Sequence, residues 1–297
     1  DSFTLADKPF HYRIVAGIGD NTSKVTKYDN PNRTLTDPYE GQQLGEIWGY
    51  VVDGYFKTDE EAKNYKVDQS FVNQMINASA LDNGLHAGDL KFVDLDGNNK
   101  IEQTTSANDR KDMKVIGNSL PRYNYNLGIS ADWYGIDFSV LFQGIGKQNW
   151  YPGAETSMFW GPYSRPYASF IPSNFMSQVW SEENTGAYFP RPRGYVALGS
   201  NRELGVVNTK YLQNLAYCRL KNLSIGYTLP DKWLSKIGFE KIRVYFSGEN
   251  LLTFTKLHSD YIDPEQASAS NSWKTSKSDA NIYPWAKTYS FGIDITF

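Results

Sequence analysis

Read backwards from its last residue, the chain alternates. Tyr289, Phe291, Ile293, Ile295 and Phe297 share one parity, and Ser290, Gly292, Asp294 and Thr296 fill the other. A period of two means a β-strand with one apolar and one polar face. The same pattern recurs at Ile242, Val244 and Phe246, and at Leu223, Ile225, Tyr227 and Leu229. It recurs again at Tyr123, Tyr125, Leu127, Ile129, Ala131 and Trp133, and at Ile136, Phe138, Val140 and Phe142. Phe10, Tyr12, Ile14, Ala16 and Ile18 form a further strand, and a weaker one is expected over about 24–35.

These segments run to about ten residues and are rich in terminal aromatics, as in strands that cross a bilayer between aromatic girdles. Their polar face is Asn, Ser, Gly, Thr and Asp, whereas a solvated sandwich face usually carries Lys and Glu. No apolar run reaches the length of a transmembrane helix, which leaves a β-barrel open. The register near Arg243 matters, because a one-residue slip would aim its guanidinium at lipid at about 2–4 kcal/mol. A formal charge of −3 gives no reason to expect nucleic acid. Cys218 is alone, so no intrachain disulfide forms. Asp1-Ser2-Phe3 does not open as a signal peptide, so a cytosolic chain or a mature or cut product is expected.

The connections alternate in length. Gly19–Ser23, Tyr134-Gly135 and Pro230–Glu240 are short, while about 36–121, 146–214 and 253–283 are long. Outer-membrane barrels sort their loops this way, with the long ones outside the cell. About seven strands leave two edges open in lipid, so the chain is expected to be the C-terminal part of one larger barrel domain. Gln266–Ser278 reads as a mobile Ser/Ala/Lys-rich tract.

Several stretches carry a family resemblance: Leu44-Gly-Glu-Ile-Trp-Gly-Tyr50, Asp53-Gly-Tyr-Phe56, Gly88-Asp-Leu-Lys-Phe-Val-Asp-Leu-Asp-Gly97, Asp109-Arg110, Ile116-Gly-Asn118 and Pro121-Arg122. Leu220–Pro230, Val244–Phe254 and Tyr289–Phe297 continue it in the same order. Together they resemble the C-terminal portion of the SusC/RagA family of TonB-dependent outer-membrane transporters. The resemblance implies an all-β transmembrane barrel of about 22 strands. It implies a plug and earlier strands outside this chain, a SusD-like surface lipoprotein as lid, and TonB acting through that N-terminal remainder. The implied activity is import of oligosaccharides or, in some members, peptides across the cell outer membrane, without enzymatic chemistry. Phe297 in its alternating strand resembles the signal read by barrel-assembly machinery.

Asp94-Leu-Asp96-Gly97-Asn98-Asn99-Lys100 places side-chain oxygens at positions 1, 3 and 5 of a loop and a backbone carbonyl at position 7, a pattern that suits Ca²⁺. It departs from an EF-hand in its Gly97 and in Thr105 at position 12. The family's Asp-Arg pair suggests Asp109 as the further carboxylate, which makes a structural Ca²⁺ the expected cofactor. A plain Asp/Asn/Gly turn explains the same residues. The 146–214 loop holds Trp150, Tyr151, Phe159, Trp160, Tyr163, Tyr167 and Phe170. Trp160 and Tyr163 are the candidates for touching substrate or lid, against the alternative that these rings pack the loop itself. The three histidines show no metal spacing, and neither a nucleophile elbow nor a phosphate loop is present. The competing class is a soluble β-sandwich carbohydrate-binding module, which explains the aromatics and the acidic loop but not the sorted connections.

Overall fold

A computed structural model describes residues 2–73, 84–164, 170–192, 194–234, 238–267, 277–278 and 283–297. Tyr167 and most of Gln266–Ser278 lie outside the described residues. Seven strands form one antiparallel sheet: β1 (Ser2–Leu5), β2 (Lys8–Gly19), β3 (Arg122–Trp133), β4 (Ile136–Lys147), β5 (Tyr217–Thr228), β6 (Lys241–Thr255) and β7 (Thr288–Thr296). Each strand pairs with its neighbour in sequence, so the sheet is a simple meander. A sandwich would divide these strands between two facing sheets.

The register keeps the two faces apart. Phe291 lies opposite Phe246, which lies opposite Ile225, and the row continues through Phe138 and Ala131 to Tyr12. One residue along, Ser290, Ser247, Ser224, Ser139 and Ser130 line up across five strands and end beside Arg13. A slip at any one pair would mix these rows. The apolar face is bare, with Phe291 83%, Ile18 76% and Ile293 65% exposed. Soluble monomers seldom leave so continuous an apolar surface in water, whereas the hydrocarbon around a barrel covers one.

Arg243 points to the polar face, as its parity predicts. Its Nε and Nη2 donate to the two Asp137 oxygens at 2.8 and 2.6 Å, and its Nη1 donates to Asp294 at 3.2 Å. Gly226 lies beneath it, where a Cβ would come within 2.6 Å of the guanidinium nitrogens. The glycine is therefore the space through which Arg243 spans three strands.

Two of the tight turns have both central residues in the left-handed region. They are Ala6-Asp7 (φ 49° and 61°) and Tyr134-Gly135 (φ 50° and 84°). That is type I′ geometry, whose twist matches the flanking strands. The third short connection runs from Leu229 to Glu240 and carries a helical turn at Asp231–Leu234. The three long connections, 20–121, 148–216 and 256–287, leave from the opposite end of the strands. The expected short connection at Gly19–Ser23 is thus the start of the first long one, and the strand expected after it is absent too. Residues 24–35 make no strand, only isolated bridges such as Lys24 with Gln43 and Thr34 with Ser106. Asn30 explains why: its side chain binds Thr34 N and Thr34 O at 3.0 Å each and curls the segment around itself. The seventh strand is instead β1, which is too short to show periodicity.

The hydrophobic core lies in the connections. The largest fully buried side chains include Trp150, Trp160, Tyr151, Tyr163, Tyr211 and Phe56, none of them on a wall strand. They sit among small two-stranded sheets such as Glu46–Tyr50 with Met113–Asn118 and Val52–Tyr55 with Leu90–Phe92. Their polar tips are satisfied by backbone carbonyls: Tyr151 Oη donates to Leu204 O, Trp160 Nε1 to Gly153 O, and Tyr163 Oη to Pro190 O. A water-soluble domain buries its sheet face in a core. Here the sheet is left bare and the loops pack on themselves, an arrangement that suits a wall in lipid beneath a folded cap.

Candidate functional site

Trp160 and Tyr163, expected to meet substrate or lid, are 0% and 1% exposed. Trp160 meets Phe159 edge-on at 4.8 Å and Tyr211 at 5.2 Å, and Tyr163 stacks on Phe189 at 5.8 Å. Their rings hold the loop layer together and present no face to a ligand, which corrects that expectation. His258 closes the same cluster. It stacks on Tyr188 with centroids 3.5 Å apart, and its Nε2 lies 2.7 Å from Gln178 Oε1. Burial, helped by the Lys210 charge against the opposing pull of Asp260, holds the imidazole below its ordinary pKa.

The acidic loop folds as a self-bonded turn. Asp94 accepts from Gly97 N and Asn99 N at 2.7 Å each, Asp96 from Asn98 N at 3.1 Å, and Asn98 Oδ1 from Lys100 N at 2.8 Å. Asn99 takes the left-handed conformation at φ 61°. Asp94, Asp96 and Asp112 come together, each with a carboxylate oxygen within 4.8 Å of the others. Asp109, expected there, instead lies 3.6 Å from Lys111 and is mostly exposed, so Asp112 takes its place. Asp112 is fully buried, and its oxygens accept from Leu95 N and Glu102 N at 2.8 and 2.7 Å. Desolvation raises its pKa, aided by the Asp96 and Asp94 charges and opposed by those two hydrogen bonds. Desolvation also pushes Asp94 upward, but the N–H groups of Asn99, Gly97 and Asn98 outweigh it and hold that carboxyl below the usual range. An oxygen-only, carboxylate-rich donor set of this kind fits a hard cation. The sequence signal for Asp112 was an acid three residues after Asp109.

A second constellation was not foreseen. The register of β5 shifts between Leu220 and Asn222, and with this irregularity both Arg219 and Lys221 reach Glu265. Arg219 is 2% exposed; it donates to Asp263 at 2.7 Å, Glu265 at 2.6 Å and Thr253 Oγ1 at 2.9 Å. Every charge in this buried group is matched, as burial demands. Above it a cleft of about 490 Å³ is lined by Phe170, Tyr261, Tyr283 and Trp285. Tyr283 and Trp285 are 89% and 51% exposed, and Trp285 also covers the Lys221 ammonium at 5.4 Å. Rings beside fixed polar groups suit a flat or ring-shaped ligand. The aromatic residues of the 256–287 connection were the available signal.

No family model matches the chain. Curated relatives do. TonB-dependent receptor P3 of Formosa agariphila is 28% identical over 264 residues, covering 87% of this chain and 22% of the relative. TonB-dependent receptor P39 of the same organism is 26% identical over 283 residues, covering 87% and 25%. Over most of its length the chain is similar in sequence to TonB-dependent receptors.

The chain also matches solved structures over its whole length. The RagAB peptide importer in its open-open state aligns with a TM-score of 0.62 at 19% identity, covering 100% of this chain and 27% of the other. The closed-closed state gives 0.58 at 20%, covering 100% and 28%. The fold is thus that of part of a SusC/RagA-type barrel wall with its long loops. The chain spans about a quarter of the length of the relatives it matches. Among the described residues no helix is long and apolar enough to cross a membrane, and the crossing elements of this fold are strands.

Proposed function

We propose that this chain forms part of the wall and the extracellular loop layer of a TonB-energised importer in the cell outer membrane. One observation carries the reading: a seven-strand meander whose apolar face is bare while all three long connections leave from one end and pack into their own core. The plug and the remaining strands belong to the rest of the receptor, and a SusD-like lipoprotein serves as lid. TonB acts through the plug, and no covalent step is asked of these residues.

Oligosaccharide is the favoured cargo, because exposed Tyr261, Tyr283 and Trp285 offer ring faces beside the Arg219–Asp263–Glu265 group. Peptide is the second reading, favoured by the fold neighbours, whose solved structures are of a peptide importer. Detergent-solubilised outer membranes should yield this chain together with a plug-bearing remainder and a surface lipoprotein, read by mass spectrometry of co-purifying polypeptides. A receptor-deleted strain should lose uptake of a glycan fraction and regain it on complementation. Recovery of the chain as a soluble monomer without detergent would defeat the reading, and loss of peptide uptake alone would select the second cargo.

The acidic loop takes Ca²⁺ as a structural cofactor, held by Asp94, Asp96 and Asp112 with the Asn98 side chain and the Lys100 carbonyl as further oxygens. The ion would neutralise three clustered carboxylates, one of them buried. Chelation should then speed proteolysis around 94–112 in the intact receptor, and added Ca²⁺ should reverse it. Equal proteolysis in chelator and Ca²⁺ would reduce the loop to a self-bonded turn.

A further inference from the structure

A cavity of about 470 Å³ opens between the curled 30–41 segment, residues 107–110 and the paired strands Glu46–Tyr50 and Met113–Asn118. Arg33, Arg110 and Lys114 line it, with Tyr39, Glu46 and Trp48. Among the described residues none of these three cations pairs with a carboxylate, although their neighbours do: Lys111 pairs with Asp109 and Glu102, and Lys100 with Glu102.

The backbone brings the three cationic positions to one cavity. Arg33 takes the left-handed conformation at φ 47°, its N–H bonded to Asn30 O at 3.0 Å. The same segment is sewn to residues 105–107 by Leu35 N to Thr105 O and Ala107 N to Arg33 O, both at 2.9 Å. That stitching holds Arg33 on the same cavity as Arg110, where two like charges repel unless an anion lies between them. Lys114 is fixed opposite Gly49 in the register of the two paired strands.

The acceptors on the floor are already in use. Glu46 Oε2 accepts from Tyr39 Oη at 2.6 Å, and Oε1 accepts from Gln43 N at 2.9 Å. The Arg33 guanidinium sits 6.0 Å from the Tyr39 ring centroid, in cation–π range rather than in an ion pair. Trp48 Nε1 is buried with no acceptor at hydrogen-bond geometry. A buried donor without an acceptor is costly, and guanidinium forks match oxyanions. The cavity thus offers donors in excess: two guanidinium groups and an ammonium.

We propose that this cavity binds an anionic oxygen group, a carboxylate or a sulfate carried by a small ligand, among Arg33, Arg110 and Lys114. The site goes beyond the import reading and does not depend on it. Glu40, exposed on the same lining, repels such a ligand and tempers its affinity.

Calorimetric titration of the full receptor in detergent tests this with glucuronate, glucose 6-sulfate and neutral glucose as probes. At least one anionic probe should bind more tightly than glucose, and its binding should weaken as salt rises. R110Q should lower that affinity at least about threefold, the scale of one exposed charge contact. E40Q should raise it, a direction that misfolding cannot produce. Comparing glucuronate with glucose 6-sulfate tells which oxyanion the site takes. Anions binding no better than glucose would overturn the assignment, as would R110Q and E40Q shifting affinity in the same direction.

Discussion

Val140 and Ser139 are adjacent in β4 and belong to opposite faces, so a charge placed on each should behave differently. Val140 lies opposite Ile129 in β3 and Leu223 in β5, near the middle of the wall. Ser139 lies in the serine row between Ser130 and Ser224. Arginine on the lipid face near the bilayer midplane costs about 2–4 kcal/mol, whereas lumen-facing positions tolerate polarity. At about 1.4 kcal/mol per decade, Val140→Arg should shift the folding equilibrium by roughly 30- to 700-fold. The assay is the folded fraction of receptor in isolated outer membranes, read by heat-modifiable gel mobility. Val140→Arg should be strongly depleted in folded receptor and Ser139→Arg less so. Wild-type folding of Val140→Arg, or a worse defect in Ser139→Arg, would refute the face assignment and the register on which it rests.

Gly226→Val should push Arg243 off Asp137, and a double-mutant cycle of Asp137→Asn with Arg243→Gln should give coupling of about 1 kcal/mol or more, read by the same gel assay; no coupling would mean the bidentate contact does not form. Trp160→Ala should destabilise the loop layer by about 3–5 kcal/mol, seen as lost hydrogen-exchange protection around 150–211 with the wall strands still protected. The His258 pKa is lowered in the fold, so between that lowered value and its ordinary one the unfolded chain binds more protons. Stability of the loop layer should therefore fall as pH drops below about 6.5, and His258→Phe should flatten that dependence while keeping the stack on Tyr188; an unchanged pH profile would exclude His258 as its source.

The wall was legible because lipid on one side and a polar interior on the other force a strict period of two. That is why β2 to β7 appear in the sequence by parity alone, with Arg243 on the polar face. β1 is four residues long and too short for any period to register. Residues 24–35 misled because isolated apolar residues imitate a strand, while Asn30 binds Thr34 and curls the chain. In the acidic loop Asp94 and Asp96 lie together because their contacts are local. Its third acid was misplaced because Asp112 arrives through the fold, by way of Leu95 N and Glu102 N, and not through spacing. Trp160 and Tyr163 show the limit of composition: an aromatic loop reads the same whether its rings face a ligand or one another. Tyr283 and Trp285 became visible only once β6 and β7 set their connection over Arg219.

The central claim is orientation: apolar wall in lipid, long connections outside the cell, short turns inside. Single cysteines in a Cys218→Ser background test it directly in intact cells with a membrane-impermeant maleimide. Gly186→Cys lies on a long connection where a side chain meets nothing within 4 Å, and Lys232→Cys lies exposed on the short-turn side. The account predicts that the first labels in whole cells and the second only after the outer membrane is permeabilised. Equal labelling of both in whole cells, or the reverse order, would contradict it.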